Sequence, residues 1–235
     1  MDPATPPSSA PKATTATESG RARRVRAFVT AGPTEEPLDE VRFIGNRSSG
    51  RMGFAIATAL ADAGHAVTLA LGPVRREPPD DPRISLRRFR TSAELESLMR
   101  EELPGADLVV MAAAVADFRP KATIEGKLRR SDGGLQIELV PVPDLLSATA
   151  ACRKPGAAII GFALEPRERL ERSALDKLAR KDLAAIVANP LETMDAPDVD
   201  AVVHFRDGTH ARPAGTLAKE AFARWLVAAL AGRFG

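Results

Sequence analysis

The sequence predicts an α/β protein with a Rossmann-like, doubly wound, mostly parallel sheet and a projecting β-ribbon. Apolar strand-like runs alternate with helical stretches along most of the chain, which is typical of a parallel sheet covered by helices. This alternation is interrupted in the middle of the chain by a half-polar hairpin pattern. The chain has 235 residues, 44% hydrophobic and 27% charged, ordinary values for one globular domain with a tail.

Residues 1–24 are predicted to form a disordered tail and residues 25–235 the folded domain. The first twenty residues are rich in Pro, Ala, Ser and Thr and nearly free of large apolar side chains. Such a composition cannot bury enough surface to offset the conformational entropy lost on ordering. The segment also lacks the apolar centre of a secretory signal, so a cytoplasmic location is expected.

The first β-α-β unit starts at Val25. Residues 25–30 read as a strand, residues 51–63 carry apolar side chains near helical spacing before Gly64, and residues 65–71 read as the second strand. Further strands are expected at residues 84–89, 108–113, 157–162 and 184–188, and further helices at residues 91–102, 144–152, 168–180 and 217–231. Hairpins are predicted at residues 127–139, around Ser131-Asp132-Gly133-Gly134, and at residues 201–212.

Composition excludes several classes of function. A formal net charge of +2 argues against binding nucleic acid through a broadly cationic surface, and no apolar run approaches the roughly 20 residues of a membrane-spanning helix. A single cysteine, Cys152, permits neither an internal disulfide nor a cysteine-based zinc site, and three scattered histidines do not indicate a metal centre. The absence of tyrosine excludes a catalytic tyrosine.

Three features are candidates for chemistry. The connection after the first strand greatly exceeds the usual ~2–6 residues; it carries Arg42 and Asn46 and ends in Ser48-Ser49-Gly50 before a helix, a pattern that suits an anion site or a plain helix cap. Small residues and then Asp117 follow the buried strand at residues 108–113, where they could seat a ring or ribose, or simply pack and cap a turn. Basic residues form the third candidate.

Lys177 and Lys181 are spaced i, i+4, so their charges repel by a few tenths of a kcal/mol unless a polyanion bridges them; a solvated helix face is the alternative. Further basic residues, Lys121, Lys127, Arg129 and Arg130, lie on the predicted ribbon.

These stretches together resemble the phosphopantothenate–cysteine ligase family, the synthetase half of the bifunctional bacterial coenzyme A biosynthesis flavoprotein. The strings that carry the resemblance are TAGPTEEPLD, VRFIGNRSSGRMGFA, AAVADFR, GKL, PDLL, GFALE and KLARKDL, in the family's order, and the similarity covers about Val25 to Phe234.

The resemblance implies a reaction and its residues. A nucleotide triphosphate, CTP or ATP, activates 4'-phosphopantothenate as an acyl-nucleotide, and L-cysteine then displaces the nucleotide. Asn46, Lys127 and Arg42 correspond to catalytic positions, and Asn46 and Arg42 also to substrate-binding ones. The nucleotide-binding positions are Ala112, Ala113, Asp117, Lys127, Pro143, Asp144, Leu145, Leu146, Phe162, Lys177 and Lys181.

The resemblance further implies Mg²⁺ held by phosphate oxygens and water rather than by protein ligands, no FMN, a homodimer joined through the ribbon, and a decarboxylase on a separate polypeptide. This sequence departs from the family pattern at Gly45 and Arg47 around Asn46, at Val142, and at Arg51 and Arg129, where arginine replaces lysine.

Two other functions stay open at this point. A nicotinamide-dependent oxidoreductase would use a similar sheet, although the first turn lacks G-x-G-x-x-G and a Tyr-Lys pair is impossible. A non-catalytic nucleotide-binding module would retain the pocket without turnover, and the departures around Asn46 favour it.

Overall fold

A computed structural model describes residues 24–129, 135–194 and 196–234. The strands are β1 (Arg26–Ala31), β2 (Glu35–Pro37), β3 (Phe43–Gly45), β4 (Ala66–Leu71), β5 (Ile84–Arg88), β6 (Leu108–Met111), β7 (Phe118–Pro120), β8 (Leu139–Pro141), β9 (Ala158–Glu165), β10 (Ala185–Pro190), β11 (Asp198–Val199), β12 (Val202–Phe205), β13 (His210–Ala211) and β14 (Leu217–Ala218). The helices are α1 (Arg51–Asp62), α2 (Ser92–Glu102), α3 (Leu145–Ala148), α4 (Arg167–Arg180) and α5 (Lys219–Phe234). Apart from Arg24, the predicted tail lies outside the described residues.

The central sheet has eight strands in the order β13-β12-β10-β9-β6-β1-β4-β5. The six strands from β10 to β5 run parallel, while β12 and β13 pair antiparallel at one edge. The chain starts at β1 in the middle, builds outward through β4 and β5, and then crosses to β6 on the other side. The predicted doubly wound α/β fold is confirmed, and its topological switch point lies between β1 and β6.

Apolar side chains cover both faces of the sheet. On one face, residues of α1 and α5 pack against alternate positions of β1 such as Val29, which is fully buried. On the other face, α2, α3 and α4 pack against the intervening positions such as Phe28. The period of two along the strand therefore distributes β1 between two cores, as expected for a strand buried on both sides. Within the described residues, no helix is long and apolar enough to cross a bilayer.

Two predicted elements differ in the structure. The hairpin turn at residues 131–134 lies outside the described residues, and the arms predicted on either side of it are wrong in position. The antiparallel ribbon is instead formed by β7 and β8, which lie further along the chain from the predicted turn, with Phe118 opposite Pro141. Residues 123–128 are not free to pair as an arm because they are hydrogen-bonded to the connection that follows β1.

The helix predicted at residues 144–152 is shorter than expected. It contains four residues of α-helix and then a 3-10 turn, Ala150–Cys152. Thr149 lies between them, fully buried, and its hydroxyl donates to the carbonyl of Leu145 at 2.7 Å. This local bond competes with continuation of the helix.

Candidate functional site

The long connection between β1 and α1 folds into a second, smaller sheet. Its strands β2 and β3 pair antiparallel, with Glu35 opposite Gly45 and Pro37 opposite Phe43. The turn between them is closed by Asp39, whose carboxylate accepts from the backbone N–H of Val41 at 2.8 Å and of Arg42 at 2.6 Å. This connection is unusually long because it contains a folded hairpin, which lies at the carboxyl edge of the main sheet.

This hairpin is fastened to the start of α2. The backbone N–H of Glu35 donates to the carbonyl of Arg90 at 2.8 Å. The buried Glu36 carboxylate accepts from the backbone N–H of Ser92, the first residue of α2, at 2.9 Å. A carboxylate is stabilised there because the helix N-terminus carries partial positive charge and unpaired N–H groups.

The loops after β1 and β6 are joined at the switch point. The backbone N–H of Ala114 donates to the carbonyl of Gly32 at 2.9 Å. The hydroxyls of two buried threonines accept from the second loop, Thr30 from the N–H of Ala113 at 3.1 Å and Thr34 from the N–H of Ala116 at 3.0 Å. Open α/β sheets bind ligands in the crevice at this place. Because these hydrogen bonds join the two loops, the walls of the crevice are fixed without a ligand.

Asn46 is held against this crevice. Its Nδ2 donates to the carbonyl of Val115, in the loop after β6, at 2.9 Å. A carbonyl only accepts, so this bond sets the orientation of the amide and leaves its second N–H and its Oδ1 for a ligand. The Asn46 side chain is exposed.

The N-terminus of α1 also faces the crevice at close range. Gly50 caps the helix in a left-handed conformation, φ +71°, with no side-chain cap. A Cβ on Gly53 would lie 2.4 Å from the Cβ of Ala31, so only glycine allows α1 to pack this closely on β1. Helix N–H groups brought to a switch point in this way form a site for an anionic group.

Lys177 on α4 and Lys181, the residue that caps the C-terminus of this helix, are both paired with carboxylates in this structure. Lys177 Nζ lies 2.9 Å from Oε1 of Glu165, the last residue of β9, and Lys181 Nζ lies 2.8 Å from Oδ2 of Asp144, the N-cap of α3. The hydrogen bond from Lys177 lowers the pKa of Glu165. Burial acts to raise the pKa of Asp144, but the hydrogen bond and charge of Lys181 lower it overall. The repulsion expected between the lysines is thus relieved by two anions.

Lys127 and Arg42 meet through the turn of the hairpin. Arg42 Nη2 lies 2.9 Å from Asp39 Oδ2, and it also donates to the carbonyl of Leu128, next to Lys127. Among the described residues, no salt bridge involves Lys127, which is exposed. Arg42 and the backbone beside Lys127 therefore meet at the turn end of the hairpin, whereas Asn46 directly follows β3 at the other end, beside the loop after β6.

A first group of predicted nucleotide positions lies between β6 and β7 and comprises Ala112, Ala113 and Asp117. Asp117 is connected to the segment before Pro143 because its carbonyl accepts from the N–H of Val142 at 2.9 Å. Ala112 and Ala113 line the crevice itself, as half-buried residues after β6.

Other predicted positions face elsewhere. The Leu145 and Leu146 side chains are 5% exposed and belong to the core beneath α2 and α4, so only their backbone is available to a ligand. Phe162 packs against the α1 and α5 face, whereas Lys177 lies on the α4 helix across the sheet.

Sequence reasoning missed Asp39 and Glu165. Asp39 had a local signal, since an aspartate two to three residues before the N–H groups it accepts from is typical of an Asx turn. Glu165 had none, because its partner Lys177 is twelve positions away and approaches only after α4 has folded back.

A cavity of about 720 Å³ lies at the opposite, amino edge of the sheet, lined by the starts of β9 and β10. Its charged groups include the ion pairs Arg206–Asp182 and Arg233–Asp207. None of the predicted site residues lines it, so it is separate from the carboxyl-edge crevice.

Strand order, a prebuilt crevice at the switch point and a glycine-capped helix facing it define a Rossmann-like α/β domain whose crevice is suited to an anionic group. Comparison with known proteins places it further. The chain belongs to the family of the DNA/pantothenate metabolism flavoprotein C-terminal domain, whose sequence profile matches residues 22–233.

Curated relatives agree with this family. The chain is 36% identical over 196 residues to the coenzyme A biosynthesis bifunctional protein CoaBC of Vibrio cholerae, covering 80% of this chain and 48% of that protein. It is 36% identical to CoaBC of Bacillus subtilis, covering 77% and 45%. A cysteine/cysteine sulfinic acid decarboxylase from an unknown prokaryotic organism is 42% identical, covering 71% and 46%. The chain thus spans about half the length of these relatives.

Solved structures locate that half. The crystal structure of the C-terminal domain of CoaBC has a TM-score of 0.75 and 30% identity, covering 91% of this chain and 97% of that domain. The DNA/pantothenate metabolism flavoprotein from Streptococcus pneumoniae, at 23% identity and a TM-score of 0.78, shares the fold. The resemblance inferred from the sequence is confirmed at the level of the family.

Proposed function

We propose that this protein joins 4'-phosphopantothenate to L-cysteine in a nucleotide-dependent ligation, the synthetase step of coenzyme A biosynthesis. The proposal rests on membership of the family and on near-complete coverage of the C-terminal domain of CoaBC, a protein named for coenzyme A biosynthesis. The family resemblance supplies the nucleotide, for which we propose CTP, and the acyl-nucleotide intermediate.

The observation that carries the proposal is the placement of Asn46. The hairpin holds its amide on the carbonyl of Val115 at the switch point, with one N–H left to donate. Attack of an amine on an acyl-nucleotide develops negative charge on the acyl oxygen, and a fixed neutral donor stabilises that charge without reorganising. We assign Asn46 to this second half-reaction.

The first half-reaction brings two anions together, the substrate carboxylate and the nucleotide triphosphate. Positive charge must neutralise them before in-line attack on the α-phosphorus. We assign Lys127 to this step and Lys177 and Lys181 to the polyphosphate. An ammonium group has three donors, so Lys177 and Lys181 can each keep the carboxylate partner and still bind a phosphate oxygen.

Mg²⁺ fits this site as a companion of the nucleotide. Among the described residues, no group of three His, Cys, Asp or Glu side chains is arranged to hold a metal ion. Asp144 and Glu165, the carboxylates beside the lysines, are in ion pairs. Phosphate oxygens and water are therefore the ligands we propose, and the ion would supply neutralising charge. The proposed reaction uses no flavin.

The test of function is turnover with a panel of triphosphates. Pure protein with 4'-phosphopantothenate, L-cysteine and CTP should release pyrophosphate and form 4'-phosphopantothenoylcysteine. If no triphosphate supports release, the proposal is wrong, and NADPH binding without triphosphate binding would favour the oxidoreductase.

Variants then test the roles. Asn46→Ala should let the acyl-nucleotide accumulate, and Lys127→Gln should suppress its formation. Lys121→Gln is the matched control. Lys121, like Lys127, lies between β7 and β8, but its ammonium group pairs with the Glu138 carboxylate at 2.8 Å. Wild-type turnover in both site variants would contradict the assignments.

We also propose a homodimer. The hairpin and the β7–β8 ribbon together expose apolar side chains, among them Val41 (58% exposed), Phe43 (49%), Phe118 (52%) and Leu139 (43%). The two small sheets are neighbours, since β2 contacts β7, and exposed apolar side chains grouped in this way are typical of an interaction site. Leu139→Asp should shift the sedimenting mass to that of a monomer, whereas Leu86→Asp on β5, at the far edge of the sheet, should leave it unchanged. A monomeric wild type would refute this part.

A further inference from the structure

Asp39 holds two segments of the site together. Its side chain is fully buried, and Oδ1 accepts from the N–H groups of Val41 and Arg42 in the hairpin turn. Its other oxygen, Oδ2, accepts from the N–H of Leu128 at 2.9 Å and pairs with the Arg42 guanidinium at 2.9 Å. Burial acts to raise the pKa of this carboxyl, but the three N–H groups and Arg42 lower it overall, so Asp39 is ionised at neutral pH.

Each of the two peptide groups that flank Leu128 is held by one side chain. Asp39 accepts from its N–H, and Arg42 donates to its carbonyl. Backbone hydrogen bonds join the same two segments in both directions, from Ile124 N–H to the carbonyl of Leu38 at 3.0 Å and from Glu40 N–H to that of Gly126 at 3.2 Å. Two chain segments that are about ninety positions apart are thus closed on each other, with the buried carboxylate at their centre.

Only a carboxylate suits this position. Both oxygens accept from backbone N–H groups, one toward the turn and one toward Leu128. An amide has a single acceptor oxygen, so an asparagine that keeps the turn places its NH₂ group against the N–H of Leu128. An isosteric change therefore releases one segment and leaves the other in place.

From this geometry we infer that Asp39 is a positioning residue that fixes Lys127 relative to Asn46. Lys127 directly precedes the held residue Leu128, and Asn46 lies on the hairpin whose turn Asp39 closes. Two half-reactions on one substrate need both groups at fixed positions, because small displacements are costly in catalysis. The catalytic consequence rests on the proposed function, but the attachment itself does not.

The attachment is tested without any activity. Because the segment around Lys127 is hydrogen-bonded to the hairpin, trypsin cleavage after Lys127 is expected to require local opening of that segment. Asp39→Asn should accelerate that cleavage by about 10- to 100-fold, the change in open population expected when hydrogen bonds to a charged acceptor are lost. Asp81→Asn is the matched control, since Asp81 also accepts from the backbone N–H of residue i+2 and pairs with an arginine, Arg83, at a distant edge.

Hydrogen exchange gives a measurement on the unmodified protein. The Leu128 amide should be protected in the wild type although its segment is at the surface. An unprotected Leu128 amide in the wild type would overturn the inference whether or not the variant folds. Equal cleavage after Lys127 in Asp39→Asn and wild type would overturn it as well.

Kinetics separate positioning from general stability. Asp39→Asn should lower the rate of acyl-nucleotide formation by about 10- to 100-fold, since Lys127 is released. Conversion of supplied acyl-nucleotide with cysteine should change less than about 3-fold, because the turn and Asn46 stay in place. Equal losses in both half-reactions would overturn the positioning role. An inactive wild type would refute the proposed function instead, and proteolysis and exchange would still decide on the attachment.

Discussion

Gly53→Ala tests the close packing that brings α1 to the switch point. The new Cβ would lie 2.4 Å from the Cβ of Ala31, 3.0 Å from its Cα and 3.1 Å from the carbonyl oxygen of Thr30. Carbon atoms pack at about 3.5–4.0 Å, so α1 would have to retreat from β1 by about 1 Å. The opposing atoms belong to Thr30 and Ala31, which are fully buried in the central strand β1 and offer no rotamer change that would make room.

The magnitude follows from two opposing effects. Overpacking with no flexible neighbour costs about 3 kcal/mol, at the upper end of the usual range. Alanine is the better helix former and restores about 1 kcal/mol. The expected net loss in unfolding free energy is therefore about 2 kcal/mol, which lowers the Tm of a domain of this size by about 4–8 °C.

The assay is thermal unfolding followed by circular dichroism. Gly215→Ala is the control, because a Cβ at Gly215 meets no atom within 4 Å and its φ is not positive. It should leave Tm unchanged within about 2 °C. If Gly53→Ala were as stable as wild type, or as stable as the control, the close approach of α1 to β1 would be wrong.

Three further predictions concern the site and its charges. Leu145→Ala should lower the free energy of unfolding by about 2–4 kcal/mol in urea titrations, because this side chain is 5% exposed in the core; a loss of nucleotide affinity with no loss of stability would contradict that placement. Lys177→Met should raise the pKa of Glu165 toward its ordinary value in an NMR titration, and Lys181→Met should leave it in place. The hydrogen bond from the Arg83 side chain lowers the pKa of Asp81 from 3.8 to about 2, so its contribution to stability is present above 3.8 and lost as pH falls through about 2. Asp81→Asn should flatten the fall in unfolding free energy over that interval, and an unchanged slope would contradict the pairing.

The sequence by itself determined the fold class and the family. Alternation of apolar strands and helices is a local property, because each element must bury one face. The apolar run at residues 108–113 predicts a strand buried on both sides, and the structure has this strand at Leu108–Met111. The strings around Asn46 are local as well, so they identified the family, but the hairpin that carries the amide was not predicted and is seen only in the structure. Element boundaries were predicted where a cap defines them, as Thr91 does for α2.

Tertiary structure decided the partners. Residues 127–129 read as a strand arm by their own pattern, yet a buried carboxylate about ninety positions away holds them to another hairpin. Leu145 and Leu146 follow a motif that indicated nucleotide contact, but packing of α2 and α4 covers their side chains. Glu165 and Asp144 neutralise Lys177 and Lys181 only because α4 folds back against β9 and α3. Hydrogen bonds and ion pairs between distant segments depend on where whole elements pack, and a local residue pattern does not contain that information.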